Sequence, residues 1–377
     1  MLPLPMAQRV GVHLYTGEFG AAAGERSLWH AGATAWLLDQ TGDAIRLLRA
    51  ARNGIADPAA RAASGGALTA LGWAYLDAGW WDQALDLAAE TSENPETDIA
   101  SASANLITAT IHAARGNTDH ARTLVTAALA ADPEHSRLVN ARARHSLGLA
   151  AIAAGDFLTA FGQLCQLFTK DGTPYHQHVS YLAVADLALA TARAGRQPEA
   201  RDIVRRISAP PSPRLRQLLA RARGILADPA DPDAYPDDVL ADPAGEKWPF
   251  ERAQLRLEYG EWLRRRHGIN DAKPHLAEAL TVFRTLGAGP WTRRAETELR
   301  ACGIAQGGAP EALQDLTPQQ RQIIHLAAQG MSNREIGQRL FLSPRTVGSH
   351  LYHAFPKLGV AGRNQLHLVL AQADAMT

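Results

Sequence analysis

Apolar residues recur along nearly the whole chain at the three- and four-residue spacing of an amphipathic helix, and the alternation of a half-buried strand is missing. Ala, Leu, Arg and Gln dominate these stretches, and turn residues interrupt them at intervals. The pattern predicts an all-α chain. Gly79, Gly116, Gly155 and Gly195 lie 37, 39 and 40 residues apart, and Ala84, Ala121, Ala160 and Ala200 each follow five residues later. Glycine at a helix–helix turn lets the chain reverse without a Cβ clash, and the later alanine lets the second helix pack close to the first. This period predicts an array of stacked helical hairpins. The fullest units place Leu71-Gly72, Tyr75, Gly79 and Ala84 at the offsets of Leu147-Gly148, Ala151, Gly155 and Ala160. Asp57-Pro58, Asn94-Pro95 and Asp132-Pro133 mark breaks between units, and Gly42 the turn of an earlier, shorter one.

The regularity fails between Ser208 and Pro213, and again from Asp228 to Glu246, where prolines and acids crowd. The second stretch reads as an exposed loop or hinge between two helical blocks. Helix resumes at Trp248, turns at Gly268, continues from Asp271 to Leu286, and ends with a segment from Trp291 to Cys302. The expected organisation is a repeat array over 1–227, an acidic Pro-rich loop over 228–247 and further hairpins over 248–305. A linker over 306–315 and a compact domain over 316–373 complete it.

Charge changes this picture only once the chain is divided. The 377 residues carry 38 Lys+Arg and 38 Asp+Glu, a formal net charge of zero. From Leu316 to Thr377, however, six basic residues face two acids, so this segment is +4 and the rest −4. Cys165 and Cys302 are the only cysteines, which excludes a disulfide-rich scaffold and a Cys-based metal cluster. Met1–Arg9 lacks the basic start of a signal peptide and no run of 18 apolar residues occurs, so a cytoplasmic chain without a membrane span is expected. The eight Trp read as core anchors, and His176 and His178 as solvated loop residues. With no Walker-type loop, His-Glu-x-x-His, Gly-x-Ser-x-Gly or Gly-x-Gly-x-x-Gly, no enzyme, cofactor or metal site is expected.

The basic segment divides itself by its caps. Thr317-Pro318 opens a helix that ends at Gly330, and Ser332-Asn333-Arg334-Glu335 is a capping box. Ser343-Pro344 opens a third helix through Val347, Leu351 and Phe355, and a fourth begins near Gly362. The second and third helices are separated by only Phe341, Leu342 and the cap, which forces the steep crossing of a helix-turn-helix. Pro356 removes a helical amide, which predicts a bend or an end near Tyr352 to Phe355.

Two resemblances follow from these residues. The hairpin spacing is similar to that of the tetratricopeptide repeat family. Leu316-Thr317-Pro318, Gly330-Met331-Ser332-Asn333-Arg334-Glu335-Ile336, Leu342-Ser343-Pro344-Arg345-Thr346-Val347, His350-Leu351 and Lys357-Leu358-Gly359-Val360 with Arg363 resemble the LuxR-type DNA-binding domain, a four-helix helix-turn-helix without a wing. Upstream, Trp248-Pro249-Phe250-Glu251-Arg252-Ala253, Tyr259-Gly260-Glu261-Trp262-Leu263-Arg264-Arg265 and Leu286-Gly287-Ala288-Gly289-Pro290-Trp291 resemble the helical part of the large ATP-binding LuxR-family regulators. The nucleotide-binding domain of those regulators is missing, so the expectation is either a short form or the C-terminal part of a longer product, without ATP dependence.

The LuxR resemblance implies a bacterial transcription regulator. Its base-reading face would fall on Gly348, Ser349, Tyr352 and His353, and its phosphate contacts on Ser332, Asn333, Arg334, Arg345, Thr346 and Lys357. The fourth helix would make the homodimer contact through Leu366, His367 and Leu370. Many relatives carry Lys where this chain has Gly348, so a bidentate base contact is impossible there and specificity leans on neighbours or DNA shape. His350 is read as a packing residue. The repeat array would sense an unknown small-molecule or protein effector. The alternative is a protein-interaction scaffold with a degenerate DNA-binding domain, a reading that Gly348 favours and that Arg345, Lys357 and the intact caps oppose.

Overall fold

The structure, a computed structural model, describes residues 23–54, 65–93, 98–132, 136–169, 171–207, 212–228, 230–303, 316–340 and 342–358, together with Arg363 and Leu366. These residues are helical throughout, apart from turns and one isolated β-bridge between Phe168 and Pro174. Successive antiparallel hairpins pair α1 (Ala23–Leu37) with α2 (Thr41–Gly54), α3 (Gly65–Asp77) with α4 (Trp81–Glu93), and α5 (Asp98–Arg115) with α6 (Thr118–Ala130). Then come α7 (Arg137–Ala154) with α8 (Phe157–Leu164), the short α9 (Gln177–Leu182), and α10 (Val184–Arg193) with α11 (Gln197–Arg206). The second block holds α12 (Pro213–Leu226), α13 (Asp237–Ala241), α14 (Pro249–Arg265), α15 (Ile269–Leu286) and α16 (Gly289–Ala301). A separate C-terminal core is built by α17 (Pro318–Ala328), α18 (Asn333–Leu340) and α19 (Pro344–Leu358). Among the described residues no helix is long and apolar enough to cross a membrane.

The repeat spacing works as its chemistry requires. Gly79, Gly116, Gly155 and Gly195 all sit at φ between +72° and +93°, in the left-handed region that ends a helix. The alanines five residues on are fully buried. Gly42, by contrast, lies inside α2; the turn before it is made by Asp39, at φ +58°, whose short side chain tolerates that region. The breaks at Asp57-Pro58 and Asn94-Pro95, and Pro133 of the third, lie outside the described residues.

The array does not stay open. Its second block folds back on the first, and the turn glycines receive it: a Cβ on Gly79 would stand 2.6 Å from Pro249 Cγ, and one on Gly116 3.0 Å from Pro290 Cγ. Trp248 Nε1 donates to Thr41 Oγ1 at 3.0 Å, and Arg115 Nε to the Leu286 carbonyl at 3.2 Å. Phe250 meets Trp81 and Trp291 edge-on. Five of the eight Trp are at most 3% exposed in the array core, but Trp80 is 40% exposed, with Arg49 over its ring.

Buried ions reinforce this closure. Arg214, 3% exposed, donates from all three nitrogens: to Asp77 at 2.7 and 3.0 Å, to Glu251 at 2.6 and 3.1 Å, and to Asp39 at 3.5 Å. Burial raises the Glu251 and Asp39 carboxyls above the usual carboxylate range, even though Arg214 pulls both down. Arg221 reaches Glu258 at 2.8 and 3.1 Å and Asp186 at 2.9 Å. Burial acts to raise Asp186 as well, but Arg221 and His145 together outweigh it and hold this carboxyl low.

Two expectations change here. The 228–247 stretch is largely exposed, as expected, but it is anchored and not a free hinge: Ala234 and Tyr235 are buried, Tyr235 packs on Tyr259 and Trp262, and Arg252 donates to the carbonyls of Val239 and Leu240. Its prolines and acids break helical periodicity, but its one tyrosine fits a notch at Gly224, where a Cβ would lie 2.3 Å from the ring. Nor are the loop histidines free in solvent. His176 caps α9 by accepting from the Val179 amide, and His178 packs on Trp36 with ring centroids 4.8 Å apart. Burial, aided by nearby Arg142, lowers His176 to about 4.

Candidate nucleic-acid interface

Local capping builds the C-terminal helices. Thr317 accepts from the Gln320 amide while the Gln320 side chain accepts from the Thr317 amide, a full capping box whose second half sequence reading missed. Ser332 and Glu335 form the box expected at the start of α18: the Ser332 amide donates to Glu335 at 2.6 Å and the Glu335 amide to Ser332 Oγ at 3.3 Å. The Ser332 hydrogen bonds hold Glu335 below its usual range. Ser343 caps α19, accepting from the Thr346 amide at 3.0 Å and pairing hydroxyl to hydroxyl with Thr346 at 2.7 Å.

The tight turn between α18 and α19 depends on Gly337, which sequence reading also passed over. It is buried, and a Cβ there would lie 2.5 Å from the Leu342 carbonyl oxygen, closer than any side chain tolerates. The Leu342 amide closes the turn by donating to the Gly337 carbonyl at 2.9 Å. A glycine interior to an otherwise good helical pattern was the available signal.

One face of α19 then belongs to the core and the other to solvent. Val347, Leu351 and Ala354, at helical spacing, are buried against Ile323, Ile324 and Ile336. Arg345, Ser349, Tyr352 and His353 are exposed, with Tyr352 at 74%; Gly348 and His350 are half-buried. Ser332 and Arg334 are exposed beside them on α18, and Asn333 and Thr346 are half-buried. The sequence-predicted DNA residues thus lie on α18, its cap and α19, where Gly348 and Asn333 adjoin. Lys357 lies on α19, but its side chain is outside the described ones.

Two details revise the expectations. Of the bend or end expected near Tyr352 to Phe355, the end does not occur: helix α19 runs through Pro356 to Leu358. Leu366 is fully buried in the domain's own core, so its side chain offers no surface to a dimer partner. His367 and Leu370, and the fourth helix apart from Arg363 and Leu366, lie outside the described residues. Packing does not demand the glycine at 348. A Cβ there would sit 3.4 Å from Asn333 Nδ2, and Arg363 anchors that same Asn333 by donating to its Oδ1 at 2.7 Å.

Arg334, Arg339 and Arg345 are exposed, and none forms an ion pair among the described residues. No group of three or more His, Cys, Asp or Glu side chains that could hold a metal occurs among the described residues.

Comparison with known proteins places this segment. Residues 314–370 match the luxR family of bacterial regulatory proteins. A protein of Mycobacterium bovis described as an HTH-type transcriptional regulator is 53% identical over 51 residues, which are 14% of this chain and 6% of that protein. The chain therefore spans a small fraction of that relative's length. The spore germination protein GerE of Bacillus subtilis is 42% identical over 50 residues, 13% of this chain but 68% of GerE. Among solved structures, a tetratricopeptide repeat protein from Parabacteroides merdae aligns with 73% of this chain and 99% of its own at 16% identity, with a TM-score of 0.38. Through the helix-turn-helix at its C-terminal end, the chain belongs to the luxR family of bacterial regulatory proteins.

Proposed function

We propose that this chain is a cytoplasmic bacterial transcription regulator whose C-terminal domain binds promoter DNA as a homodimer and whose helical array senses a small-molecule or protein effector. The observation that carries the proposal is the exposed polar face of α19, presented by a helix whose opposite face is locked into the core. Such a helix fits a major groove about 12 Å wide. Ser349, Tyr352 and His353 would meet base edges, and Gly348 would let the backbone approach. Ser332, Asn333, Arg334, Arg345, Thr346 and Lys357 would set register on phosphates, the salt-sensitive part of the binding. In this proposal 306–315 links the array to the domain.

The test is a titration of the full chain with fragmented genomic DNA at two salt concentrations, followed by sequencing of the bound fragments. A regulator enriches one motif and binds more weakly as salt rises. Salt-independent retention with no enriched motif would overturn the proposal. Sedimentation on a palindromic duplex of that motif should give two chains per duplex; one chain would remove the dimer.

A further inference from the structure

The seam between the two blocks closes over more buried acid than base. Asp39, in the turn before α2, and Asp77, at the end of α3, come from the first block; Arg214 of α12 and Glu251 of α14 come from the second. All four side chains are at most 17% exposed. One guanidinium therefore faces three carboxyl groups. Asp77 and Glu251 each bond it from both oxygens, whereas Asp39 reaches it only at 3.5 Å and takes a shorter bond, 2.6 Å, from Ser212 Oγ. The surrounding elements do not restore the balance. Trp36 donates to Asp77 and Trp248 lies beside Arg214, both without charge. Burial, with Arg142 and Arg214 nearby, holds His178 well below its ordinary range, so this ring adds no positive charge. Arg221, two turns along α12, is already bonded to Asp186 and Glu258. Arg142 of α7 lies against the Trp73 and Trp36 rings, and counting it in full still sets three acids against two bases. A carboxyl group that burial leaves without its own counter-charge takes up a proton more readily than it ionises.

We propose that Asp39 and Glu251 close on Arg214 with one proton shared between them, which makes the seam a proton-dependent latch that holds while the pair is protonated and loosens as the pH rises. In the open array both carboxyls meet water and give the proton up above about pH 4. In the closed array burial raises both groups above their ordinary range, although Arg214 pulls against it. The stabilisation is therefore complete below about pH 4 and is lost as the pH climbs through that raised range. The proton belongs to the pair and not to either residue alone. His176 and His178 run the other way, because the folded array refuses their protons below 6.5. The latch is thus seen as a difference between variants and not in the raw pH profile. It concerns closure of the array and does not depend on the regulator proposal.

The test is hydrogen exchange of the full chain between pH 4.5 and pH 8, corrected for the intrinsic rate at each pH. Exchange in α3 and α14 reads the opening of the seam, and α17, in the separate C-terminal core, is the internal standard. Asp39→Asn suits the φ of +58° at that turn and can still accept from Ser212, and Glu251→Gln keeps the shape of the carboxyl group. Each removes a charge without removing the side chain. The ratio of wild-type to Asp39→Asn opening in α3 and α14 should rise roughly tenfold across this range and stay constant in α17. Glu251→Gln should move the ratio in the same direction. The two histidines are common to all three chains and cancel in these ratios. A ratio independent of pH would make both carboxyls plain hydrogen-bond acceptors and overturn the proposal. A ratio that falls as the pH rises would mean that both are ionised in the closed array, and would overturn it equally. Should Glu251→Gln fail to fold, Asp39→Asn decides alone, since asparagine takes a positive φ as readily as aspartate.

Discussion

The two cores use arginine in opposite ways. In the array, Arg214 and Arg221 are at most 3% exposed and are bonded to carboxylates contributed by other helices. There arginine is a cross-link. In the C-terminal domain, Arg334, Arg339 and Arg345 are exposed and form no ion pair among the described residues, so the same side chain is a cation facing outward. A planar guanidinium with five donors suits both tasks. The difference shows why a net charge of zero says little: charge is neutralised inside one region and left facing solvent in the other.

The strongest way to break this comparison is to remove an internal cross-link. Arg214→Leu leaves Asp77, Glu251 and Asp39 without their shared cation and should cost about 3–5 kcal/mol of array stability in urea unfolding. A loss near zero would mean that the closure does not depend on it. Next comes a pair of substitutions that separates closure from local turn chemistry. Gly155→Ala, at φ +76° with open space around it, should cost about 1–2 kcal/mol; Gly79→Ala adds a clash with Pro249 and should cost about 1–3 kcal/mol more. Equal costs would argue against docking of Pro249 on that turn.

The third approach is pH. His176 is held at about 4, so below 6.5 the unfolded chain takes up a proton that the folded chain refuses. Its contribution is therefore complete above 6.5, declines as the pH falls from 6.5 to about 4, and then levels off. His176 should account for a loss of about 3 kcal/mol over that window, and His176→Asn, which can still cap α9, should remove that share of the profile while His178 keeps its own. The smallest effect belongs to the outward arginines. Arg345→Ala should leave unfolding unchanged within about 0.5 kcal/mol and reduce the slope of log affinity against log salt by about 1. A stability loss as large as that of Arg214→Leu would erase the distinction between the two uses.

The C-terminal domain was the more legible of the two. Ser332 with Glu335 and Ser343 with Thr346 act within three residues, so their chemistry is visible in a short window of sequence. The array's hairpins were legible for the same reason, through glycines that must take positive φ. Its closure was not. Trp248 with Thr41 and Pro249 with Gly79 are contacts between distant segments, and no local pattern distinguishes a tryptophan that docks far away from one that packs nearby. The 228–247 stretch misled for a related reason, since composition reports its prolines and acids but not the notch that holds Tyr235. The candidate DNA residues of α19 came from the LuxR resemblance, and their position opposite the buried Val347, Leu351 and Ala354 agrees with helical spacing. Gly337 was not legible, because the need for a missing side chain appears only when Leu342 is in place.

Trp248 and Thr41 are 207 positions apart, and that separation has a temporal meaning. At a synthesis speed of about 5–20 residues per second, the first hairpins wait on the order of ten to forty seconds at the ribosome before the segment that seals them has been made. During that interval the turn surfaces at Gly79 and Gly116 stand bare. A message cut short before the codon for Trp248 would yield a protein with its seam open for good, a natural client for chaperones and proteases.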